Sequence, residues 1–215
     1  MESVARGGTR WKRFAVVMVP SVAATAAIGV ALSQGALAAS FSVSGQSFKV
    51  KADELRGYDM LQYGGVDVGV DMEGKKAAHP VAINAFKTAE IDNMCQSIVT
   101  HVPLLGDVTM KLTAGGKGTP VKAENIYIDV AQLDSSSATF SNVDIGVAAG
   151  HAGDKVPSMK GGSEQANPNG FAQRADKAVI KDVKQTAWAT SAGTFELSGF
   201  GLSLKKGSGK GIECY

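Results

Sequence analysis

Hydrophobic positions along this chain follow two regimes. From Phe14 to Leu32 they form one unbroken run, FAVVMVPSVAATAAIGVAL, and no charged residue falls between Phe14 and Ala39. Beyond Ser40 apolar and polar residues alternate one by one. The alternation is clear in Phe48-Lys49-Val50-Lys51, in Val66 to Met72, in Val108 to Thr113, in Ile126 to Val130, in Phe140 to Val147 and in Phe195 to Leu204. Period two sends one set of side chains to a buried face and the other to solvent, as half-exposed strands require. Turn-forming clusters separate these runs: Gly64-Gly65, Gly115-Gly116-Lys117-Gly118 and Asp134-Ser135-Ser136-Ser137. The best helical candidate after the apolar run, Ser163 to Lys177, is broken by Asn167-Pro168-Asn169-Gly170. The pattern predicts a mainly β fold, a curved antiparallel meander or sandwich with a short β-solenoid as the alternative, preceded by one N-terminal hydrophobic helix.

One sub-pattern recurs within the strands. Ala89 to Met94, Ala138 to Val143 and Ala178 to Val183 share the form Ala-x-apolar-x-(Asn/Asp)-apolar. The short polar residue marks a bend or bulge where a strand turns a corner. The segment at about 148–170 differs from its surroundings: it is crowded with Gly and Pro and poor in apolar residues, and it reads as a long mobile loop, an insertion or a lid over a groove.

The apolar run follows a basic cluster (Arg6, Arg10, Lys12, Arg13) and leads into Ala36-Leu37-Ala38-Ala39. Basic, apolar, then small is the order of a secretory signal. The run is longer than most signal cores, about 7–15 residues, and close to the ~20 that span a bilayer. Cleavage at Ala36, Ala38 and Ala39 and retention of residues 14–32 as a membrane anchor are therefore both open. Either outcome divides the chain into a signal or anchor at 1–39 and an extracytoplasmic domain at 40–215, since the basic flank stays inside. Ala31-Leu32-Ser33-Gln34-Gly35 approaches the G-x-S-x-G elbow of a hydrolase, but Ser33 lies within this export segment.

Charge narrows the partners. Removing the four basic residues and Glu2 that precede Ser40 from the 22 basic and 20 acidic residues of the chain leaves 18 and 19. A domain so near neutrality has no field to gather phosphate backbones, so nucleic acid is not an expected partner. The two cysteines, Cys95 and Cys214, both lie in the exported part, where such a pair oxidises to a disulfide.

Catalytic constellations are missing from 40–215. Gly45-Gln46-Ser47 and Gly162-Ser163-Glu164 lack the second glycine of an elbow, and His79, His101 and His151 read as surface or turn residues. No histidine or cysteine pair has metal-ligand spacing, and no cofactor is expected. Asp67-x-x-x-Asp71-x-Glu73 lacks the calcium-loop pattern and reads as a solvated strand face. Gly207-Ser208-Gly209-Lys210-Gly211 lacks the spacing of a phosphate loop and reads as a flexible tail. What remains is apolar: Trp188 as a core anchor or groove liner, and Met60, Met94 and Met110 as core fillers or the lining of an adaptable groove.

Three stretches taken together are specific: Gly7 to Phe14 running into "AVVMVPSVAATAAIGVAL", "SFSVSGQSFKV", and "DVKQTAWATSAGTFELSGFGLSL" with a terminal Glu213-Cys214-Tyr215. The chain resembles an actinobacterial, chiefly streptomycete, family of exported proteins of unknown function, often labelled "cholesterol esterase". The resemblance covers essentially the whole chain and implies an envelope location but no reaction and no catalytic residues. The expected function is that of a non-enzymatic cell-envelope protein binding lipid or a membrane partner. A lipid-ester hydrolase and a structural module of the surface or wall are the alternatives.

Overall fold

The computed structural model describes residues 44–161 and 164–215. The expected N-terminal helix and the cleavage positions Ala36, Ala38 and Ala39 lie outside these residues. In chain order the strands are β1 (Phe48–Val70), β2 (Lys76–Asp92), β3 (Met94–Val102), β4 (Gly106–Ala114), β5 (Val121–Asp134), β6 (Ser137–Ser141), β7 (Asp144–Ala148), β8 (Glu164–Gln165), β9 (Phe171–Ser191), β10 (Thr194–Glu196) and β11 (Gly201–Lys206). The only helical element among the described residues is a 3₁₀ turn at Ala149–His151.

The strands build one sheet in the order β11-β4-β3-β1-β2-β5-β9-β6, with β7, β8 and β10 added to β9, β1 and β5. Every ladder is antiparallel, so the antiparallel, mainly β reading holds and the solenoid alternative, which needs parallel stacking, is set aside; non-consecutive neighbours such as β1 with β3 and β5 with β9 make the order more than a simple meander. The sheet folds back on itself, because β9 pairs with β1 from Phe48↔Ala187 to Tyr63↔Ala172 as well as with β5.

Strands of 23 and 21 residues, β1 and β9, follow such a course only by bending. The bends fall at short polar residues held at positive φ: Asp59, Asn93, Asn125, Asn142 and Asp182, all between 48° and 52°. Asn and Asp occupy this left-handed region at lower cost than other side-chain-bearing residues. Three of the five are the polar positions of the recurring sub-pattern. At Asp59 the β1–β2 register runs unshifted from Tyr58↔Thr88 to Met60↔Phe86, so the strand turns without inserting a residue. Neighbouring strands tie the corners: the amides of Asn93 and Asn142 donate to Asp53 and Asp176, each at 2.7 Å, and the Ser136 hydroxyl donates to Asp182 at 2.6 Å.

Both faces of the central strands are covered. Leu55, Met60, Phe86, Ile91, Ile126 and Val183 belong to the larger core. The chain neighbours Leu61 and Ala85 turn the other way, into a smaller core with Tyr63, Val81, Ile83 and Ala172. The second core exists because the segment between β7 and β8 lies over it. This strap is poor in apolar residues, but Ala149, Ala152 and Val156 are buried and Met159 packs beside them. The described residues of this segment also make hydrogen bonds to the sheet. Lys87 donates to the Asp154 carbonyl at 2.8 Å, Arg174 to the Ala152 carbonyl at 2.6 Å, and the Tyr127 hydroxyl to the Ser158 carbonyl at 2.9 Å.

Cys95 and Cys214 form the expected disulfide. It draws the last residues of the chain back over β3 and β4, where the Cys214 amide donates to Ser97 Oγ and the Thr109 hydroxyl donates to the Gly207 carbonyl.

Candidate functional site

The inward positions of β9 are mostly alanine: Ala175, Ala178 and Ala187 face the larger core beside Ile180 and Val183. Methyl groups cannot fill the space between facing strands as branched side chains would. Toward the start of β1 this leaves a cavity of about 260 Å³, open to solvent and walled by Phe48, Val50, Leu55, Met94, Ile126 and Phe195. Gln96, Gln185 and Thr190 supply its polar lining. The cavity combines apolar walls with a few polar groups, the composition of small-molecule sites.

The wall containing Met94 and Gln96 continues outward onto a three-stranded wing, β3, β4 and β11. Register places Gln96, Leu112 and Leu202 in one row, Ile98, Met110 and Leu204 in the next, and Thr100, Val108 and Lys206 in a third. Leu112 packs against the larger core, whereas Met110, Leu202 and Leu204 are 41%, 56% and 70% exposed. Leu104 and Leu105 are exposed at the tip of the β3–β4 hairpin. The opposite face of the wing carries Ser97 and Thr109, buried beneath the C-terminal residues.

A polar cluster lies on the other side of the sheet, under the strap. Asp67 on β1 and Asp129 on β5 have no exposed surface, and Glu164 on β8 is buried beside them. The Lys160 ammonium reaches Asp129 at 2.6 Å, and the Lys160 amide donates to the Tyr63 hydroxyl at 3.0 Å. Burial first, and then the charges of Asp129 and Asp67, push the Glu164 carboxyl up to about 7. Burial, followed by the charge of Asp129, pushes Asp67 up to about 6. Burial also raises the Tyr63 hydroxyl well above the ordinary phenol range and shifts Tyr127 upward. Both Asp67 oxygens, Asp129 Oδ1 and Glu164 Oε2 find no hydrogen-bond partner among the described residues. A carboxylate so placed is far more costly ionised than protonated, which is the physical cause of the raised values. Among the described residues no group of three or more His, Cys, Asp or Glu is arranged to hold a metal ion. The cluster is sealed from solvent, and its arrangement fastens the strap.

The four apolar candidates separate. Met94 lines the cavity, Met60 is fully enclosed in the larger core, and Met110 stands on the exposed wing. Trp188 belongs to the smaller core and stacks on His79, ring centroids 3.5 Å apart and planes 10° from parallel. His79, expected at the surface, is therefore half-buried within this stack. His101 pairs with Asp107 at 3.1 Å and His151 is exposed on the 3₁₀ turn, while Ser163 lies outside the described residues. Asp67 departs from its expected place, since a solvated strand face puts it in water and the strap buries it. Alternation alone also gave no sign of Asp129, Glu164 or Lys160 as a buried set, because a polar residue on the nominal outer face looks solvated until another segment covers it.

Residues 44–215 match the family of unknown function DUF6230. No curated protein and no solved structure gives a match.

Proposed function

This chain belongs to the DUF6230 family, and we propose that it is a non-enzymatic, exported binding protein of the cell envelope that holds one medium-length acyl chain in the cavity of its larger core. The observation that carries this reading is the open apolar space beside Phe48, Met94 and Phe195, with Gln96 and Gln185 to meet a polar end. Size decides the class of ligand. A sealed apolar cavity of about 150 Å³ accepts benzene, and drug-sized sites begin near 300 Å³. About 260 Å³ suits one chain of moderate length better than a whole lipid or a sterol. Export is supported by the basic, apolar and small order of the first 39 residues and by a disulfide of the kind that persists in oxidising compartments.

Calorimetric titration of the exported protein with decanoate tests the reading. We expect one site per chain and a negative heat-capacity change, the mark of apolar burial. Ala192, which stands at the cavity wall, gives the matched variant: Ala192→Phe fills the space and weakens binding at least tenfold. No binding heat and no rise in Tm at saturating decanoate would overturn the reading, as would unchanged affinity in Ala192→Phe.

A further inference from the structure

The wing is covered on the wrong side for a sheet in water. Its polar face, carrying Ser97, Thr109 and Lys111, lies under the chain's own C-terminal residues, which the Cys95–Cys214 bond and the hydrogen bonds to Ser97 and from Thr109 and Lys111 hold in place. Its apolar face, with Ile98, Met110, Leu202 and Leu204, is left open, and Leu104 and Leu105 extend it at the hairpin tip. A contiguous apolar face of this kind marks a docking surface.

Charge and connectivity identify what docks. Lys206 stands on the apolar face one row beyond Leu204 and forms no ion pair found among the described residues, whereas Lys205, in the row of Thr109, belongs to the opposite face. The neighbouring acids are already engaged: Asp107 with His101 and Ser208, and Glu213 with Lys49. An unpaired lysine bordering exposed leucines, with no acid in the same rows of the face, suits an anionic lipid surface, where a basic residue near the headgroups adds about 1 kcal/mol. The described chain also begins beside this face. The Thr100 hydroxyl, in the row of Val108 and Lys206, donates to Gln46 Oε1 at 3.2 Å.

We propose that the apolar face of β3, β4 and β11 docks on an anionic bilayer, with Leu202, Leu204 and Met110 entering the headgroup region and Lys206 meeting the lipid phosphates. This face docks whether or not the cavity is filled. It goes beyond the acyl-binding reading while placing Gln96, shared by wing and cavity, at the membrane side.

The test uses the full chain and a reporter confined to the face. Leu204→Trp, in a chain also carrying Trp11→Phe and Trp188→Phe so that it is the sole tryptophan, is mixed with vesicles of phosphatidylglycerol brominated along the acyl chain, and Ile145→Trp in the same background, an exposed position on β7, is the control. The expected result is at least a twofold quenching of the position-204 fluorescence, weakened by high salt and by Lys206→Gln, with little change at position 145. Vesicles of phosphatidylcholine alone should quench far less. Equal quenching at both positions, or none at 204, overturns the proposal. So does a blue shift of the 204 emission that grows with protein concentration in the absence of lipid, which would assign the face to a second copy of the chain. Decanoate titration contains no bilayer, so the two readings fail separately.

Discussion

Lys160 and Asp129 meet at 2.6 Å with 6% and none of their side-chain surface exposed, joining the strap to the middle of β5. This single cation serves a site that also holds Asp67 and Glu164. The site has more carboxyl groups than positive charge, and it meets the excess by keeping protons.

That excess makes stability depend on pH in a stated direction. Glu164 and Asp67 hold protons up to about 7 and about 6 in the fold, against ordinary values of 4.5 and 3.8. Between roughly pH 4 and 7 the folded state therefore binds protons that the unfolded chain has released, and stability falls as pH rises through that window. Each unit of difference corresponds to about 1.4 kcal/mol per group. Glu213 and Asp107, held below the ordinary range by Lys49 and His101, act in the opposite sense, but only at lower pH. Tm measured at pH 4.5 and 7.5 should fall between the two for the natural chain. Glu164→Gln, which keeps the shape without the charge, should shrink the difference and raise Tm at pH 7.5. A difference unchanged in the variant would show that Glu164 does not carry it.

Removing the cation should release the strap. Lys160→Met leaves Asp129 buried and unpaired, a change of the kind that costs about 3–5 kcal/mol. The loss should be greatest above pH 7, where Asp67 and Glu164 also ionise. Limited trypsin digestion reads it directly, since Lys155 lies within the strap and should be cut much faster in the variant.

Gly57 is fixed by packing. A Cβ there would come within 2.2 Å of the Phe86 ring, which lies flat against β1. Gly57→Ala should destabilise the fold by about 1–3 kcal/mol through overpacking. Phe86→Leu in the same chain should recover part of the loss, which a double-mutant cycle of denaturant midpoints would measure.

The disulfide spans 119 residues of sequence. Replacing both cysteines by serine should cost about 2–5 kcal/mol and should free the C-terminal residues from Ser97 and Thr109. Hydrogen exchange should then speed up in β3, β4 and β11, while protection under the strap persists because Lys87, Arg174 and Tyr127 hold it from the sheet.

The corner residues predict a substitution pattern that propensity for strands would not. At Asn93, where φ is 49°, glycine should be tolerated with little change. Alanine should cost about 1–2 kcal/mol, as should valine at Asp182 or more, since β-branching disfavours this region further. Thermal melts of Asn93→Gly, Asn93→Ala and Asp182→Val check the order. If valine proved harmless at Asp182, the corner would not depend on the left-handed conformation.

Much of this was legible before folding. Alternation located parts of β1, β4, β5, β6, β7, β10 and β11, because a one-in, one-out pattern follows from the two-residue repeat of extended backbone; it did not mark β2, β3 or β9, and Gly64-Gly65, read as a turn, pairs within β1. The Asn or Asp of the recurring sub-pattern marked the corners at 93, 142 and 182, and the cysteine pair gave the disulfide. Asp59 and Asn125 went unmarked: Tyr58-Asp59-Met60 and Glu124-Asn125-Ile126 keep the polar–apolar core of the signature without the leading alanine. Met94 and Met110 were singled out by residue type alone, with nothing to say that one would wall a cavity and the other stand in the open.

Sequence by itself therefore determined local shape: where the backbone is extended, where it turns left-handed, and which side chains are apolar. Only the tertiary structure decided what each face meets. Asp67 reads as solvated until Glu164 pairs across from it and Lys160 comes in beside it, both more than 90 residues later. Leu204 reads as buried until the wing extends past the core. Both outcomes depend on contacts between distant segments, and a pattern of nearest neighbours carries no record of which segment will cover which.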